Sequence, residues 1–480
     1  MRRPSLPLAA ALTARALSPH PDWERPLRLV LANLCEDAMG YGPGASEYLR
    51  AQVITSVELA ARVDVSIVFE PGMTEEQAVE RILARDPDVV GLTAYSWNLA
   101  FNHAVARRVR ARAPDVLLVW GGCSFGLFHE RSDWFKGWDA ADAVASGSGE
   151  YTLLDMLGYL LERPRPCRIE HALRGLIVNR AGTIEYGERA RYPERLDDLA
   201  SPYLQGVVHR VQHPFIEMAR GCTYQCSFCS DARKSREGRF EFHSAERLAR
   251  EIAVIAAWPG SEAIDAGAST ANIDEEAFGV VCDAIRQGDP KKKLKFSFQL
   301  YPSLVQASHR AAFASLRVSK LCVGVQSTAP GTFKAMQRKT TVAQVRQVVE
   351  RIGGSAPLLF SLILGIPGET VESFKETLDA LVLDLGVNVV VHRLLVLPGT
   401  QLHAAHERWD LRFREDCFYR ATSTFSMREE DLRRAQDYVL EVAQRLPKAP
   451  TRDGLLRLDW TNFDVQELAF TRATRDAPSP

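Results

Sequence analysis

The sequence predicts an α/β protein built from two parallel β-sheet domains, and three observations lead to that prediction. Short apolar runs typical of buried strands alternate with amphipathic helical segments between residues 27 and 165. The same alternation returns between residues 211 and 405. Glycine and hydroxyl residues follow several of the strands, which is where parallel sheets bind their ligands. Because parallel neighbours need a crossover, usually a helix, this alternation favours parallel sheets.

Composition excludes several classes of protein. The 480 residues are 46% hydrophobic and 25% charged, which is ordinary for globular domains. A net charge of -1 provides no basic footprint for nucleic acid or anionic lipid. No apolar run is long enough to span a bilayer, and an arginine-interrupted start is not typical of a signal peptide. Charge and apolar patterning thus lead us to expect neither nucleic-acid nor membrane partners. The nine cysteines, scattered except for one group, fit a reducing compartment, and we expect a cytoplasmic protein.

The first 165 residues predict an arm followed by a Rossmann-like domain. Residues 1–26 carry prolines and little periodicity, which indicates a loose arm. Residues 27–165 predict a doubly wound parallel sheet. Its expected strands are 27–33, 63–69, 89–93, 116–120 and 141–145, and its expected helices are 45–62, 75–84 and 98–112.

The loops after the third, fourth and fifth strands of this domain are the candidate ligand site. Glycine lets a backbone approach a flat ligand closely, and aromatic and hydroxyl side chains can pack on it or bond to its rim. The candidate residues are Thr93, Tyr95, Ser96, Trp97 and Asn98, then Gly121 and Gly122, then Ser146, Gly147, Gly149 and Glu150. In this order the loops resemble those of the cobalamin-binding domain that precedes many radical S-adenosylmethionine (SAM) enzymes, and the resemblance implies that they line the corrin and its nucleotide tail.

One departure from that family concerns the lower face of cobalt. The D-x-H-x-x-G signature is absent, because Met39 stands where the histidine would follow Asp37. The resemblance therefore implies cobalamin without a histidine ligand from below. A flavodoxin-like domain with another ligand, or none, is the alternative, since the fold alone does not decide the ligand.

The rest of the chain predicts a linker, a second domain and an extension. Residues 166–210 hold a short hairpin, with Ala181 and Gly182 at its turn, and then a linker. Residues 211–405 predict six strand-helix units. Residues 406–480 predict a small, mostly helical extension, in which Ser426 and Glu429 form a capping box.

Three cysteines after the first strand of the second domain carry the chemistry. Cys222, Cys226 and Cys229 are spaced so that three thiolates can meet on one cluster, one fewer than the four irons of a cubane. The fourth iron can then bind a small bidentate ligand. The alternative is a structural zinc site completed by His213 or His243, although no second cysteine pair accompanies it.

At these residues the chain resembles the radical SAM enzymes, whose hallmark is C-x-x-x-C-x-x-C with an aromatic residue, here Phe228, before the last cysteine. The resemblance implies a partial (β/α)6 barrel with a 4Fe-4S cluster on the three cysteines. It also implies that SAM contacts residues at the ends of the strands. These are Phe228, Ala266, Gly267, Gln326, Ser327, Gly365 and Ile366.

Together, the two resemblances imply a cobalamin-dependent radical SAM C-methyltransferase. A 5′-deoxyadenosyl radical would abstract hydrogen, and methylcobalamin would deliver a methyl group to a carbon of a small natural-product or amino-acid-derived substrate. Cyclisation, rearrangement or oxidation without methyl transfer, and a non-catalytic binding protein, remain alternatives. We expect an electron donor such as flavodoxin or ferredoxin. Candidate substrate contacts are Gln299, Tyr301, His392 and Tyr419.

Overall fold

A computed structural model describes residues 17–34, 44–70, 72–95, 98–122, 140–180, 182–208, 210–211, 214–230, 240–414, 419–446 and 458–459. The chain divides into two compact units, Met1–Val211 and Gln212–Pro480. Within the described ranges, no helix has the length and apolarity to cross a membrane.

The first unit is a seven-stranded sheet in the order β2-β1-β3-β4-β5-β6-β7, with β1 to β5 parallel and β6 and β7 antiparallel. Its strands are β1 (Leu27–Ala32), β2 (Val63–Val68), β3 (Val89–Thr93), β4 (Leu117–Gly121), β5 (Ala143–Ala145), β6 (Leu176–Arg180) and β7 (Thr183–Tyr186). Its helices are α1 (Ala45–Thr55), α2 (Glu75–Leu83), α3 (Leu99–Arg112) and α4 (Gly149–Leu161).

The strands of this sheet carry apolar residues on both faces, which explains why both faces are buried. Along β1, Leu29 and Leu31 join one buried cluster, whereas Val30 and Ala32 join another. Successive strand residues point to opposite faces, so a continuous apolar run fits a strand that is covered on both sides. The five predicted parallel strands and the hairpin are confirmed. The hairpin also pairs with β5, so it extends this sheet.

The first helix is shorter than predicted. The expected helix 45–62 ends at Thr55, and the backbone of Ser56 is extended. Residues 57–62 form turns that lead into β2. Serine competes with helical hydrogen bonding through its own side chain, so the apolar pattern alone overestimated the length.

Asp88, at the start of β3, ties distant segments of the first unit together. Its buried carboxylate accepts hydrogen bonds from Arg25 Nη1 at 2.6 Å and from Arg165 Nη2 at 2.7 Å. It also accepts one from the backbone N–H of Arg28 at 2.9 Å. One carboxylate thus holds the segment before β1 and the segment after α4.

The second unit contains a seven-stranded parallel sheet in the order β18-β15-β14-β13-β12-β11-β8. These strands are β8 (Phe215–Glu217), β11 (Ala263–Gly267), β12 (Lys295–Leu300), β13 (Val318–Gln326), β14 (Leu358–Leu364), β15 (Asn388–Arg393) and β18 (Leu458–Asp459). Two-stranded pairs are formed by β9 (Ala219–Arg220) with β10 (Glu241–Phe242), and by β16 (Arg412–Arg414) with β17 (Arg420–Ser423). The six predicted strands are confirmed; β18 was not foreseen.

The helices of the second unit cover this sheet and end in one long helix. They are α5 (Ala245–Ala256), α6 (Glu275–Gly288), α7 (Ser308–Ser315), α8 (Phe333–Met336), α9 (Val342–Ile352), α10 (Val371–Asp379), α11 (Gln401–Ala404) and α12 (Glu429–Arg445). The predicted Ser426–Glu429 capping box is wrong, because the residue before α12 is Arg428. The Ser426 hydroxyl instead accepts a hydrogen bond from the backbone N–H of Gly368 at 2.9 Å.

Candidate functional site

The three predicted ligands lie in one loop beyond β8 and β9. Gly221 has φ +96°, a left-handed backbone that favours glycine, and it turns the chain into the loop. Cys222 and Cys226 are buried, whereas Cys229 is half-buried. The Cys229 N–H bonds to the Cys226 carbonyl at 3.1 Å, which closes the second half of the loop into a turn. The structure therefore brings the three thiols to the same end of the sheet.

Ser227 fixes the middle of this loop from two directions. Its N–H bonds to the Met336 carbonyl at 3.0 Å, and its hydroxyl donates to the Ala335 carbonyl. Its own carbonyl accepts from the Leu402 N–H at 2.8 Å. Residues from the end of α8 and from α11 thus position the cysteine loop.

Three thiols in one loop match the ligand set of an iron–sulfur cluster with one open iron. Among the residues that the structure describes, no three His, Cys, Asp or Glu side chains are arranged to hold one metal ion. A cluster spaces its thiolates more widely than one ion does, because each thiolate binds a different iron. The buried His243, considered as a zinc ligand, has its Nε2 4.0 Å from the Glu217 carboxylate. His213 lies outside the described residues.

A cation, missed in the sequence, lies beside one of the thiols. Arg338 Nη1 is 3.8 Å from Cys226 Sγ, and Nη2 donates to the Gly324 carbonyl. Burial raises the pKa of the Cys226 thiol, and the Arg338 guanidinium opposes that rise. The residue was overlooked because it follows a short helix and belongs to no motif.

Two tyrosines support this cation. The Arg338 guanidinium lies 4.0 Å from the centroid of Tyr301, which stacks on Tyr224 with centroids 3.8 Å apart and planes 3° apart. Tyr224 belongs to the cysteine loop, whereas Tyr301 follows β12. Burial raises the pKa of Tyr301 to about 12, so its hydroxyl stays protonated at neutral pH. Asn272 holds the Tyr301 backbone through bonds of 2.8 and 3.0 Å.

Glu369 joins the two loops predicted to contact SAM. It is fully buried, and its carboxylate accepts from Ser327 Oγ at 2.8 Å and from the Gly365 N–H at 3.2 Å. Burial raises the pKa of Glu369 to about 8, against the lowering effect of both bonds. The residue that caps the start of α10 is its neighbour Thr370.

Two glycines bring the same loops into direct backbone contact. A Cβ on Gly331 would lie 2.3 Å from the Gly368 carbonyl oxygen, and a Cβ on Gly368 would lie 2.1 Å from the Gly331 carbonyl oxygen. Gly368 also has φ +91°. No larger residue fits at either position without moving the loops, so the glycines set the spacing between the ends of β13 and β14.

The other predicted SAM contacts occupy the same end of the sheet. Gln326 ends β13 at a break in register with β14 and has φ +70°, which is rare for a residue with a side chain. Phe228 packs against a buried cluster that includes Ile366. Ala266 and Gly267 end β11, where the Phe215 ring lies against Gly267. All seven candidates thus meet the carboxyl ends of parallel strands.

The four candidate substrate contacts differ in their surroundings. Gln299 is exposed on β12, and His392 is half-buried on β15. Tyr301 is occupied by its stack, as described above. Tyr419 has φ +58°, and its ring lies 5.9 Å from that of Phe413. The sequence therefore did not distinguish residues available for a ligand from residues, such as Tyr301, that pack against other side chains.

In the first unit, the candidate loops also gather at the carboxyl ends of the strands. Thr93 Oγ1 donates to Asn33 Oδ1 at 3.0 Å and accepts from Asn98 Nδ2 at 3.0 Å. Asn98 is buried, and it also bonds to the Leu34 carbonyl and the Tyr95 N–H. Asn98 therefore turns inward and fixes the loops. Ser96 and Trp97, like Asp37 and Met39, lie outside the described residues.

The glycines here allow two strand ends to approach each other closely. Gly122 has φ +128°, and a Cβ there would lie 2.7 Å from the Ala94 carbonyl oxygen. Gly121 ends β4 and accepts a hydrogen bond from the Ala94 N–H at 2.7 Å. The ends of β3 and β4 therefore lie close together, at a spacing that a side chain on Gly122 would prevent.

The loop after β5 completes this edge. Gly147 has φ +97°, and Gly149 begins α4. The buried Ser146 bonds through its N–H to the Gly175 carbonyl at 2.8 Å. Glu150, buried as well, accepts from the Ser148 hydroxyl at 2.5 Å. The described candidates of this unit share one sheet edge. Among them, Asn98 and Glu150 are buried and form hydrogen bonds with other residues of the protein.

Comparison with known proteins agrees with this division into two units. Residues 216–381 match the sequence model of the Radical SAM superfamily, and residues 46–157 match that of the B12 binding domain. The two matched segments fall in different units of the structure.

Two curated relatives are methyltransferases by name. One is the cobalamin-dependent radical SAM methyltransferase TokK from Streptomyces tokunonensis, 28% identical over 357 residues, which are 68% of this chain and 50% of the relative. The other is 2-(S-pantetheinyl)-carbapenam-3-carboxylate methyltransferase from Streptantibioticus cattleyicolor, 27% identical over 371 residues, which are 73% of this chain and 53% of the relative. This chain thus spans about half the length of these relatives.

A solved structure shares the fold across most of the chain. The radical SAM methyltransferase TsrM from Kitasatospora setae, solved with tryptophan substrate and a SAM analogue, superposes with a TM-score of 0.62 at 17% identity. The match covers 79% of this chain and 76% of TsrM. TsrM has also been solved with cobalamin and a 4Fe-4S cluster bound.

Proposed function

We propose that this chain, whose residues 216–381 match the Radical SAM superfamily and whose residues 46–157 match the B12 binding domain, is a cobalamin-dependent C-methyltransferase. Its substrate is a small natural-product intermediate or amino-acid derivative. When bound, the 4Fe-4S cluster, SAM and cobalamin supply one-electron cleavage of SAM, a 5′-deoxyadenosyl radical and a transferable methyl group. The chain's own residues bind and orient these groups and exclude water.

The observation that carries this proposal is the fixed loop of three thiols. Cys222, Cys226 and Cys229 follow β9, and Ser227 ties the loop to α8 and α11. Three thiolates hold three irons of a cubane and leave the fourth for SAM. A loop fixed by hydrogen bonds to two separate elements would hold that open position in a constant direction.

The loops after β13 and β14 would orient SAM against this cluster. Gln326 and Ser327 end one strand, and Gly365 and Ile366 follow the other. The hydrogen bonds of Glu369 to Ser327 and Gly365 keep the two loops in register. Such fixed spacing supports one bound orientation, which radical chemistry needs because a freed radical reacts with whatever lies nearest.

In the first unit, the ends of β3, β4 and β5 would hold cobalamin. Gly122 lets the ends of β3 and β4 lie close together, and Gly147 provides a turn at the neighbouring loop. Thr93 and Asn98 fix the shape of these loops through hydrogen bonds. These contacts support an edge whose described loops are already held in one arrangement.

Substrate class and electron supply complete the proposal. The methyltransferase names of two relatives and the tryptophan bound to TsrM favour a small, amino-acid-like or natural-product substrate. A reduced flavodoxin or ferredoxin would supply the electron.

The test is anaerobic reconstitution of the full chain with iron, sulfide, hydroxocobalamin and SAM under reducing conditions, with tryptophan and a small-metabolite extract as trial substrates. We expect S-adenosylhomocysteine and 5′-deoxyadenosine to form in proportion to a methylated product. The variant with all three cysteines changed to serine should form no 5′-deoxyadenosine.

Three outcomes would contradict methyl transfer. Product with 5′-deoxyadenosine but no S-adenosylhomocysteine would indicate rearrangement, cyclisation or oxidation. No SAM turnover by protein that holds both cluster and corrin would indicate a non-catalytic binding protein. Uptake of zinc without iron and sulfide would restore the zinc alternative.

A further inference from the structure

A half-buried cation faces one ligand of the proposed cluster, and none of the carboxylates in the described residues pairs with it. Within the part of the chain that the structure describes, the polar partners of Arg338 are the Gly324 carbonyl, Thr340 Oγ1 at 3.5 Å and Cys226 Sγ at 3.8 Å. A guanidinium is always charged, and removing it from water is costly unless something compensates. The sulfur of Cys226 is the one partner among these that becomes an anion when it binds iron.

The aromatic stack explains how the cation is kept there. A guanidinium over an aromatic face is attracted by the electrons of the ring. Arg338 lies on one face of Tyr301, and Tyr224 lies on the other, nearly parallel. Since Asn272 fixes the Tyr301 backbone, the ring serves as a platform that leaves Nη1 directed at the sulfur.

The stack also connects the cation to the cysteine loop itself. Tyr224 lies between Cys222 and Cys226 in sequence, so the ring that packs on Tyr301 belongs to the loop that holds the sulfurs. Cys222 Sγ lies 3.8 Å from Thr270 Oγ1, in the segment that also contains Asn272. The position of the charge and the position of the sulfurs are therefore set by the same contacts.

From this geometry we propose that Arg338 is a positioning residue that sets the reduction potential of the cluster, with Tyr301 as its support. The inference rests on the proposed function, because it requires a cluster on Cys226. Reduction adds one negative charge to the cluster, and a fixed cation nearby stabilises the more negative state. Half-burial limits screening by solvent and salt. Arg338 therefore raises the potential and eases electron entry.

The test is a redox titration of the reconstituted full chain without SAM, followed by the electron paramagnetic resonance of the reduced cluster. Arg338→Gln should shift the midpoint to more negative values, and Arg338→Lys should shift it less. The control is Arg346→Gln, which removes the same charge from the exposed side of α9 and should leave the midpoint unchanged. Omitting SAM separates this role from any contact between the guanidinium and the cofactor.

Substitutions of Tyr301 provide a second, independent test. Tyr301→Phe keeps the ring and should keep the midpoint, whereas Tyr301→Leu removes the platform and should shift it in the same direction as Arg338→Gln. Equal midpoints for Arg338→Gln and Arg346→Gln would overturn the inference. If Arg338→Gln assembles no cluster, equal midpoints for the two Tyr301 variants overturn it instead.

The outcomes also separate this inference from the proposed function. A wild-type chain that takes up no iron and sulfide would contradict both the proposed function and this inference. A chain with a cluster whose midpoint responds to Arg338 but that never cleaves SAM ends only the methyltransferase proposal. A chain that cleaves SAM with a midpoint indifferent to Arg338 and Tyr301 ends only this inference.

Discussion

Glu369 shows how one buried side chain makes stability depend on pH. Burial raises its pKa to about 8, above the value of an exposed glutamate, so the folded chain holds a proton that the unfolded chain releases. The stabilising effect of that proton is complete below the unfolded pKa and is lost as pH rises towards 8. Above pH 8 both states are ionised, and no further loss follows.

We therefore expect Glu369→Gln, which cannot ionise, to flatten this dependence. Between pH 5 and 8 the wild type should lose up to about 1.4 kcal/mol of unfolding free energy per pH unit relative to the variant. Urea unfolding at several pH values measures the difference. Glu372→Gln, on the exposed side of α10, is the matched control and should track the wild type. A constant gap between wild type and Glu369→Gln would mean that the buried carboxyl does not take up a proton.

At the scale of single elements, the paired glycines of the β13 and β14 loops can be tested by adding one methyl group. Gly368→Ala places a Cβ at φ +91° and 2.1 Å from the Gly331 carbonyl oxygen, so the loops must separate. We expect a loss of unfolding free energy on the order of 3 kcal/mol and at least tenfold weaker SAM binding.

Gly354→Ala isolates the backbone contribution to that loss. Gly354 has φ +77° but open space around the added methyl, so it should lose only about 1 kcal/mol and keep SAM affinity. Thermal unfolding and equilibrium dialysis with labelled SAM measure both effects. Similar losses in the two variants would show that the left-handed backbone, and not the contact between loops, is responsible.

Asp88 offers a test at the start of β3. Asp88→Asn removes the charge that faces Arg25 and Arg165, and we expect a loss of about 2 kcal/mol, since both guanidinium groups are partly solvated. Hydrogen exchange should rise in the peptides of β1 and β3 and stay unchanged in the second unit. Asp86→Asn, at an exposed carboxylate that contacts Arg28, should change exchange little. Equal exchange in both variants would remove Asp88 from its linking role.

For the whole molecule, each unit has its own buried core, which predicts that cofactors can be lost separately. The chain with Cys222, Cys226 and Cys229 all changed to serine should lose iron and sulfide but retain hydroxocobalamin after gel filtration, seen as corrin absorbance. Cys282→Ala, at a buried thiol of α6 away from the loop, should retain both. Loss of the corrin together with the cluster in the serine variant would refute separate binding.

Prediction from sequence succeeded where the signal is local and failed where partners are far apart in the chain. Continuous apolar runs such as those of β1 and β14 predicted parallel strands, because a strand covered on both faces needs them. The cysteine spacing needs no tertiary information. By contrast, Arg338 reaches Cys226 from a segment without a motif, and Glu369 acquires its partners only when two strands lie side by side. The sequence predicted where the strands and the cysteine loop lie along the chain, but not which distant side chains contact each other.

The support of the cysteine loop has a consequence for how the protein is made. Ser227 bonds to Ala335, 108 residues further along the chain, and Leu402 contacts it from later still. On the ribosome, the sulfurs emerge long before the residues that give their loop its shape. Metal delivered to the nascent chain would meet thiols whose supporting contacts have not yet formed. We therefore expect insertion of iron and sulfide to follow the synthesis of Leu402, and shortened chains that end before Leu402 would carry every proposed ligand yet lack one of the contacts that shape their loop.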